Sequence, residues 1–373
     1  MKIFQVNKLY YPWIGGVEKV VQQIAEGLNG KNFFKIEVLC CLAQGRGKEE
    51  IINGVKVHQA SSLGIFGGMP ISFDFFRLFN KLSKKADIIN FHHPFPLGDL
   101  AIFLFKSKVK LVVHYHSDIV RQKIFNFLIN PLINHTLKKA EKIIVSNPNL
   151  VKNSPHLQKF QEKCEIIPFG VNPSEFEKYD EIAVKNLRKK YGNFVLFVGR
   201  LNYYKGVQYL IEAMRGIRAS LIIIGEGKEK KNLEFRIKNL GLENKVFFLS
   251  LSGKELINYY RACSVFILPS IFKSEAFGIV LIEAMASGAP IISTELGTGT
   301  SWVNIHNETG FVVPAKNSFA LFEAIKKILE NKNLAEKFSQ NAKKRVEEEF
   351  SLEKMLKKIE SLYIFINEKK ELS

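Results

Sequence analysis

Short apolar strands, each released through a glycine-bearing or charged loop into a helical pattern, recur along this chain and restrict the folds open to it. The first series has strand patterns at 2–6, 34–40, 87–91, 110–114, 142–145 and 164–167, with helical patterns at 17–28, 73–85 and 119–140. The series then restarts, with strands at 194–198, 221–224, 246–249, 265–268 and 289–293 and a helix at 207–214. Parallel strands need crossover connections, usually helical, so this alternation predicts an α/β architecture with doubly wound parallel sheets. Two such series in 373 residues suit the size at which single cores give way to separate domains. The segment Pro168-Phe169-Gly170-Val171-Asn172-Pro173 reads as the link. The expected domains are 1–167 and 168–350, both Rossmann-like and facing across a cleft. Of the terminal helical patterns at 318–330, 333–349 and 352–368, the last, within 351–373, is expected to cross back to the first domain. Sheets wound in this way hold ligands at the carboxyl ends of their strands.

Hydrophobic residues make up 46% of the chain and charged residues 24%, enough apolar material for two cores in a water-soluble protein. The net charge of +18 falls more heavily on the first half. It admits nucleic acid, an anionic bilayer or a phosphorylated ligand as partner, although a lysine-rich solvated surface gives the same total. The basic residues are dispersed and no nucleic-acid reading module is recognisable, so nucleic acid is not expected. Cys40, Cys41, Cys164 and Cys263 show neither framework spacing nor a C-x-x-C motif, and read as free thiols in a reducing cytosol. No run approaches the roughly 18 apolar residues of a membrane span, and the apolar run at the N-terminus is too short for a signal peptide. The expected location is cytoplasmic.

The loops after the strands carry the candidate chemistry. Ser274-Glu275-Ala276-Phe277-Gly278-Ile279-Val280-Leu281-Ile282-Glu283 leads from the 265–268 strand into a helix. Free N–H groups at a helix start favour an anion, so Glu275 and Glu283 fit there only beside the neutral hydroxyls of a phosphate-bearing ligand. Gly199-Arg200-Leu201-Asn202-Tyr203-Tyr204-Lys205-Gly206 puts two cations in a glycine-bounded loop. That suits a diphosphate, Arg200 as a two-oxygen clamp and Lys205 as a mobile point charge. Gly225-Glu226-Gly227 permits close backbone approach, but a lone G-x-G is weak evidence, and no P-loop is present. In the first half, Gly15-Gly16 joins a strand's loop to its helix, where either a tight turn or an anion site is served. His114-Tyr115-His116-Ser117-Asp118 closes another strand. The H-x-H spacing lacks an apparent third convergent ligand, so it reads as a hydrogen-bonding site and no metal is expected.

Taken together, these motifs resemble the retaining glycosyltransferases of family 4 (group 1), of GT-B fold, along nearly the whole chain. His114 to Lys123 and Thr294 to Ser301 look like bacterial rhamnosyl/mannosyltransferases of surface-polysaccharide assembly. The family commonly has glycine where this chain has Ser250, which touches the identity of the nucleotide base. The resemblance implies metal-independent transfer of mannose or rhamnose from a nucleotide-diphosphate sugar (GDP-mannose favoured, dTDP or UDP sugars as alternatives) without a further cofactor. The acceptor would be a glycan or a polyprenyl-diphosphate-linked chain. Arg200 and Lys205 would neutralise the diphosphate, helped by main-chain groups at Phe277, Gly278, Ile279 and Gly16. Glu283 would take the ribose and Glu275 the sugar hydroxyls, with Gly15 and Gly225 also at the donor. His116 would contact the sugar, and Asp118 would orient His116 or bind acceptor. The aromatic and basic patterns at 73–82 and 119–139 suggest an anionic membrane surface as a further partner, at the inner face of the cytoplasmic membrane. A sugar-nucleotide epimerase of similar fold and a basic nucleic-acid-binding protein are the competing readings.

Overall fold

The structure, a computed structural model, describes the chain apart from residues 14, 32, 106, 107, 120–122 and 369–373, and describes residues 123–128 by backbone alone. Residues 120–122 of the His114-to-Lys123 segment therefore lie outside the described residues. The chain forms two compact units, Met1–Phe169 joined by the C-terminal helix from Leu352, and Gly170–Ser351.

The first unit contains β1 (Lys2–Val6), β2 (Lys35–Cys41), β3 (Lys48–Ile52), β4 (Val55–Ala60), β5 (Ile65–Phe66), β6 (Met69–Pro70), β7 (Ile88–His93), β8 (Lys110–Tyr115), β9 (Lys142–Val145) and β10 (Cys164–Ile166). Eight of them form one sheet in the order β10-β9-β8-β7-β1-β2-β4-β3, parallel except for β3 against β4. β5 and β6 make a separate hairpin. Strand order reverses between β1 and β7, which marks the ligand crevice of a doubly wound sheet. The β3–β4 hairpin was not anticipated, although its signal is present. Asn53 and Gly54 adopt φ of 49° and 80°, the left-handed pair that a two-residue hairpin turn requires.

One face of this sheet, with Phe4, Val6, Phe91, Val113 and Tyr115, packs on Phe75 and Phe79 of the helix Asp74–Ser83. The other face lies with the C-terminal helix Leu352–Glu368, which buries Leu356, Ile359 and Tyr363. That helix packs on the helix Gly16–Leu28. A Cβ on Gly27 would lie 2.5 Å from Leu356 Cδ1, so the small residue admits the leucine.

The second unit contains β11 (Phe194–Val198), β12 (Ser220–Ile224), β13 (Val246–Leu249), β14 (Val265–Leu268), β15 (Ile291–Glu295) and β16 (Gly310–Pro314). Their order is β13-β12-β11-β14-β15-β16, parallel throughout, with the reversal between β11 and β14. β11 and β14 are buried along their whole length, which explains their unbroken apolar sequences. β16 was missed because it opens on a glycine; a Cβ on Gly310 would sit 2.1 Å from the Ile291 carbonyl oxygen. Among the described residues no helix is long and apolar enough to cross a membrane.

Candidate active-site residues

The reversal point of the second sheet sets the loops after β11 and β14 side by side, although β12 and β13 separate them in sequence. Gly206 lets the two backbones meet. Its φ is +71°, and a Cβ there would lie 1.9 Å from the Pro269 carbonyl oxygen. Ile271 N donates to Tyr204 O at 2.8 Å across the same contact. Held this way, Lys205 Nζ lies 2.5 Å from Glu275 Oε2, and Ser270 Oγ donates to that oxygen at 2.9 Å. Both charged side chains are buried. Burial works against the Lys205 ammonium, but the Glu275 carboxylate and the adjacent Tyr204 outweigh it, leaving the pKa above the ordinary lysine value; Arg200 pulls it down. Arg200 itself is exposed and makes no ion pair among the described residues.

Expected as separate ligands of phosphate and sugar, Lys205 and Glu275 thus partner one another. The loop after β15 fixes them further: Thr298 Oγ1 donates to the Glu275 carbonyl at 2.7 Å, and Gly299 N to that of Ala276 at 2.8 Å. Ser270 and Thr298 were not singled out from sequence, since a serine or threonine in a loop carries no distinctive signal.

Gly278 turns the chain at φ +83° into the helix Ile279–Ala286, whose first residue is half-buried. The Phe277 ring is buried edge-on against Phe350, 5.9 Å between centroids, so the side chain serves the core. Glu283, also buried, accepts from Tyr260 OH at 3.0 Å. Burial, and then the Glu283 carboxylate, push the Tyr260 phenol well up. Gly225 is explained by chain packing: a Cβ there would meet the Gly199 carbonyl oxygen at 2.1 Å.

In the first unit, Gly15 caps the helix Gly16–Leu28 with φ −158°, extended backbone that any residue adopts. His116 follows β8, its N–H donating to His93 O at 2.9 Å. Asp118 does not orient it. Asp118 Oδ1 accepts instead from Tyr115 OH at 2.5 Å and Ser154 Oγ at 2.6 Å. What orients His116 is His92, whose Nδ1 lies 2.9 Å from His116 Nε2. The expectation of an H-x-H pair with no third convergent histidine is corrected here. β7 extends to His93, two residues past the predicted strand, and pairs His92 directly with His114. Side chains alternate along a strand, so His92, His114 and His116 share one face while His93 stacks on Tyr115 on the other.

A cavity of about 730 Å³ is lined by Ser83, Asp87 and Lys110, at the amino ends of β7 and β8, and none of the candidate residues lines it.

The sequence model described as Glycosyltransferase Family 4 matches residues 14–175, and that described as Glycosyl transferases group 1 matches 178–345. The chain is 32% identical to the O-antigen chain mannosyltransferase C of Escherichia coli over 99% of its length and 100% of the relative's. It is 33% identical to the D-rhamnosyltransferase WbpZ of Pseudomonas aeruginosa, covering 94% and 92%. Among solved structures it is similar in fold to sucrose-phosphate synthase of Thermosynechococcus elongatus, with TM-score 0.82, 22% identity and 98% of each chain covered. Anabaena Alr3699/HepE in complex with UDP gives 0.79 at 20% identity over 97% and 99%. The fold is GT-B, and the chain belongs to the family 4, group 1 glycosyltransferases.

Proposed function

We propose that this glycosyltransferase moves mannose or rhamnose from a nucleotide-diphosphate sugar to a growing surface glycan, with retention at the anomeric carbon. The Lys205–Glu275 pair beside the unpaired Arg200 is the observation that carries this reading. The relatives' names support the sugar class, and GDP-mannose is the favoured donor, ahead of dTDP or UDP sugars.

A lone buried charge costs several kcal/mol, so Glu275 compensates Lys205. A diphosphate arriving at Arg200 competes for the lysine, and the released carboxylate turns to the sugar hydroxyls. Glu283, oriented by Tyr260, takes the ribose. As the bond from anomeric carbon to diphosphate oxygen breaks, negative charge grows on that oxygen. Arg200, Lys205 and main-chain N–H groups at 277–279 meet it; such preorganised donors are worth roughly 2.7–4 kcal/mol each. The acceptor hydroxyl attacks from the face the diphosphate leaves, and its proton passes to the departing phosphate oxygen. No side chain is assigned as covalent nucleophile, and diphosphate departure needs no added Mg²⁺ or Mn²⁺.

The acceptor in this reading is carried on a polyprenyl diphosphate, which brings the first unit to an anionic bilayer. Of the aromatic residues at 73–82, Phe75 and Phe79 are buried and do not serve that contact, whereas Phe73 is exposed. The β5–β6 hairpin serves it better. Phe66 on it is 79% exposed, Leu63 just before it 72% and Phe73 at the head of the next helix 78%, and Arg46 and Asp74 line the same cleft as Leu63 and Phe73. Apolar tips with a cation beside them suit an anionic interface. Sedimentation with anionic vesicles should fall in a Phe66→Ser/Phe73→Ser variant; equal binding to neutral vesicles removes this part of the proposal.

The donor assignment is tested by thermal stabilisation with GDP-mannose, dTDP-rhamnose and UDP sugars. A ligand at about 100 Kd adds ~2.7 kcal/mol. No shift with any of them refutes it. Nucleoside diphosphate released only when acceptor is present separates transfer from epimerisation.

A further inference from the structure

Six ring nitrogens belong to His92, His114 and His116, and their hydrogen bonds can be traced almost completely. Gln5 Nε2 donates to Tyr363 OH at 3.0 Å. Gln5 Oε1 accepts from Asn90 Nδ2 and from His92 Nε2, each at 2.8 Å. An amide oxygen only accepts, so His92 carries its hydrogen on Nε2 and presents a lone pair at Nδ1. His116 Nε2 is 2.9 Å from that lone pair and donates to it, which leaves a lone pair on His116 Nδ1. His116 Nδ1 and both nitrogens of His114 are buried and have no partner.

Buried polar atoms without partners are uncommon and point to a missing water or ion. Here three fall in one cluster. The rings are near parallel, 5–23° apart with centroids at 4.5–5.2 Å, His92 meeting His116 edge to edge, and Phe169 packs on His114 and His116. Burial keeps all three imidazoles neutral at physiological pH, so each offers a lone pair rather than a charge. One nitrogen from each lies within 4.8 Å of the others.

We propose that His92, His114 and His116 form a binding site for a divalent transition metal of the zinc class. Three imidazoles with a fourth position open are an established zinc donor set. Imidazole nitrogen also disfavours Mg²⁺ and Ca²⁺, which take oxygen. The second shell is in place before the metal: metal-ligating histidines donate their other ring N–H to a carbonyl or carboxylate, as His92 does to Gln5. Zinc–nitrogen bonds of about 2.0–2.1 Å in a tetrahedral site set the nitrogens about 3.3 Å apart, so binding opens the 2.9 Å His92–His116 contact and turns the His114 ring to bring its nitrogen in. The metal replaces the proton between His92 Nδ1 and His116 Nε2. His116 then carries its hydrogen on Nδ1 and changes from acceptor to donor at that atom. Only this last consequence, for sugar contact, rests on the proposed function.

The test is metal binding, read without any assay of transfer. Wild-type protein stripped by chelator is titrated with Co²⁺ and with Zn²⁺. The expected result is one equivalent per chain, with the intense visible bands of four-coordinate Co²⁺, displaced by Zn²⁺. His92→Ala and His114→Ala should abolish the stoichiometric site, and Gln5→Leu should weaken it about 10–100-fold. His135→Ala, at an exposed position outside the cluster, should leave it unchanged. Weak octahedral Co²⁺ bands in the wild type, or uptake unaltered in folded His92→Ala or His114→Ala protein, overturns the proposal. If those variants fail to fold, the wild-type titration alone decides. A donor panel that fails while Co²⁺ binds refutes the donor assignment and leaves the metal site standing.

Discussion

At the reversal point of the second sheet, β11 and β14 bring a lysine and a glutamate to 2.5 Å. At that of the first sheet, β1, β7 and β8 bring together an amide and three uncharged imidazoles. Both sites are buried, and burial penalises an unpaired charge. The second unit meets the penalty by pairing opposite charges, which an incoming anion can separate. The first unit meets it by losing charge altogether, which leaves directional lone pairs. A crevice of the same topology is thus lined by an opposite-charge pair in one unit and by neutral rings in the other, by side-chain choice alone.

Breaking the charged site should have the largest effect. Lys205→Ala leaves Glu275 buried without its partner, and loss of about 3–5 kcal/mol is expected in urea unfolding, with transfer falling about 10²–10³-fold. In Lys205→Met/Glu275→Gln the stability should return while the activity does not. A double variant that regains transfer would show the pair to be purely structural. Arg200→Ala sharpens the point from the exposed side. Transfer should drop about 10²–10³-fold while unfolding moves by no more than about 0.5 kcal/mol.

The two sites should also answer to opposite ends of the pH scale. Burial lowers the imidazoles, His114 to about 3, so the unfolded chain binds more protons below the ordinary histidine value of about 6.5. Their stabilisation is complete above that value and is lost as pH falls, by about 1.4 kcal/mol per unit for each titrating group. The raised Lys205 contributes fully below its ordinary value and loses that contribution as pH rises through the higher folded one. Hydrogen exchange read separately on each unit should show the first unit opening in acid and the second in alkali. Both opening together in acid defeats the contrast.

Asp118→Asn should have the smallest effect. The amide oxygen can still accept from Tyr115 and Ser154, so transfer should change less than about 3-fold. A larger loss would return Asp118 to the role of orienting His116.

The sequence was most legible where its signals are local. Buried parallel strands such as β11 and β14 announce themselves as unbroken apolar runs, and the Arg200–Gly206 and Glu275–Glu283 loops were identifiable from charge beside glycine. β3 and β16 were passed over for different reasons. β3 is largely exposed and half-charged, and β16 begins at Gly310, whose lack of a side chain mimics a loop. His92 was lost to a strand end placed two residues short.

The sequence by itself determined the two doubly wound sheets and the loops that carry charge at their carboxyl ends, because strand and helix periodicities are properties of neighbouring residues. Only the tertiary structure decided the partners. Lys205 meets Glu275, and Gln5 meets His92 and Tyr363, because strand order and the returning C-terminal helix set the pairing, and no local pattern encodes which strands become neighbours.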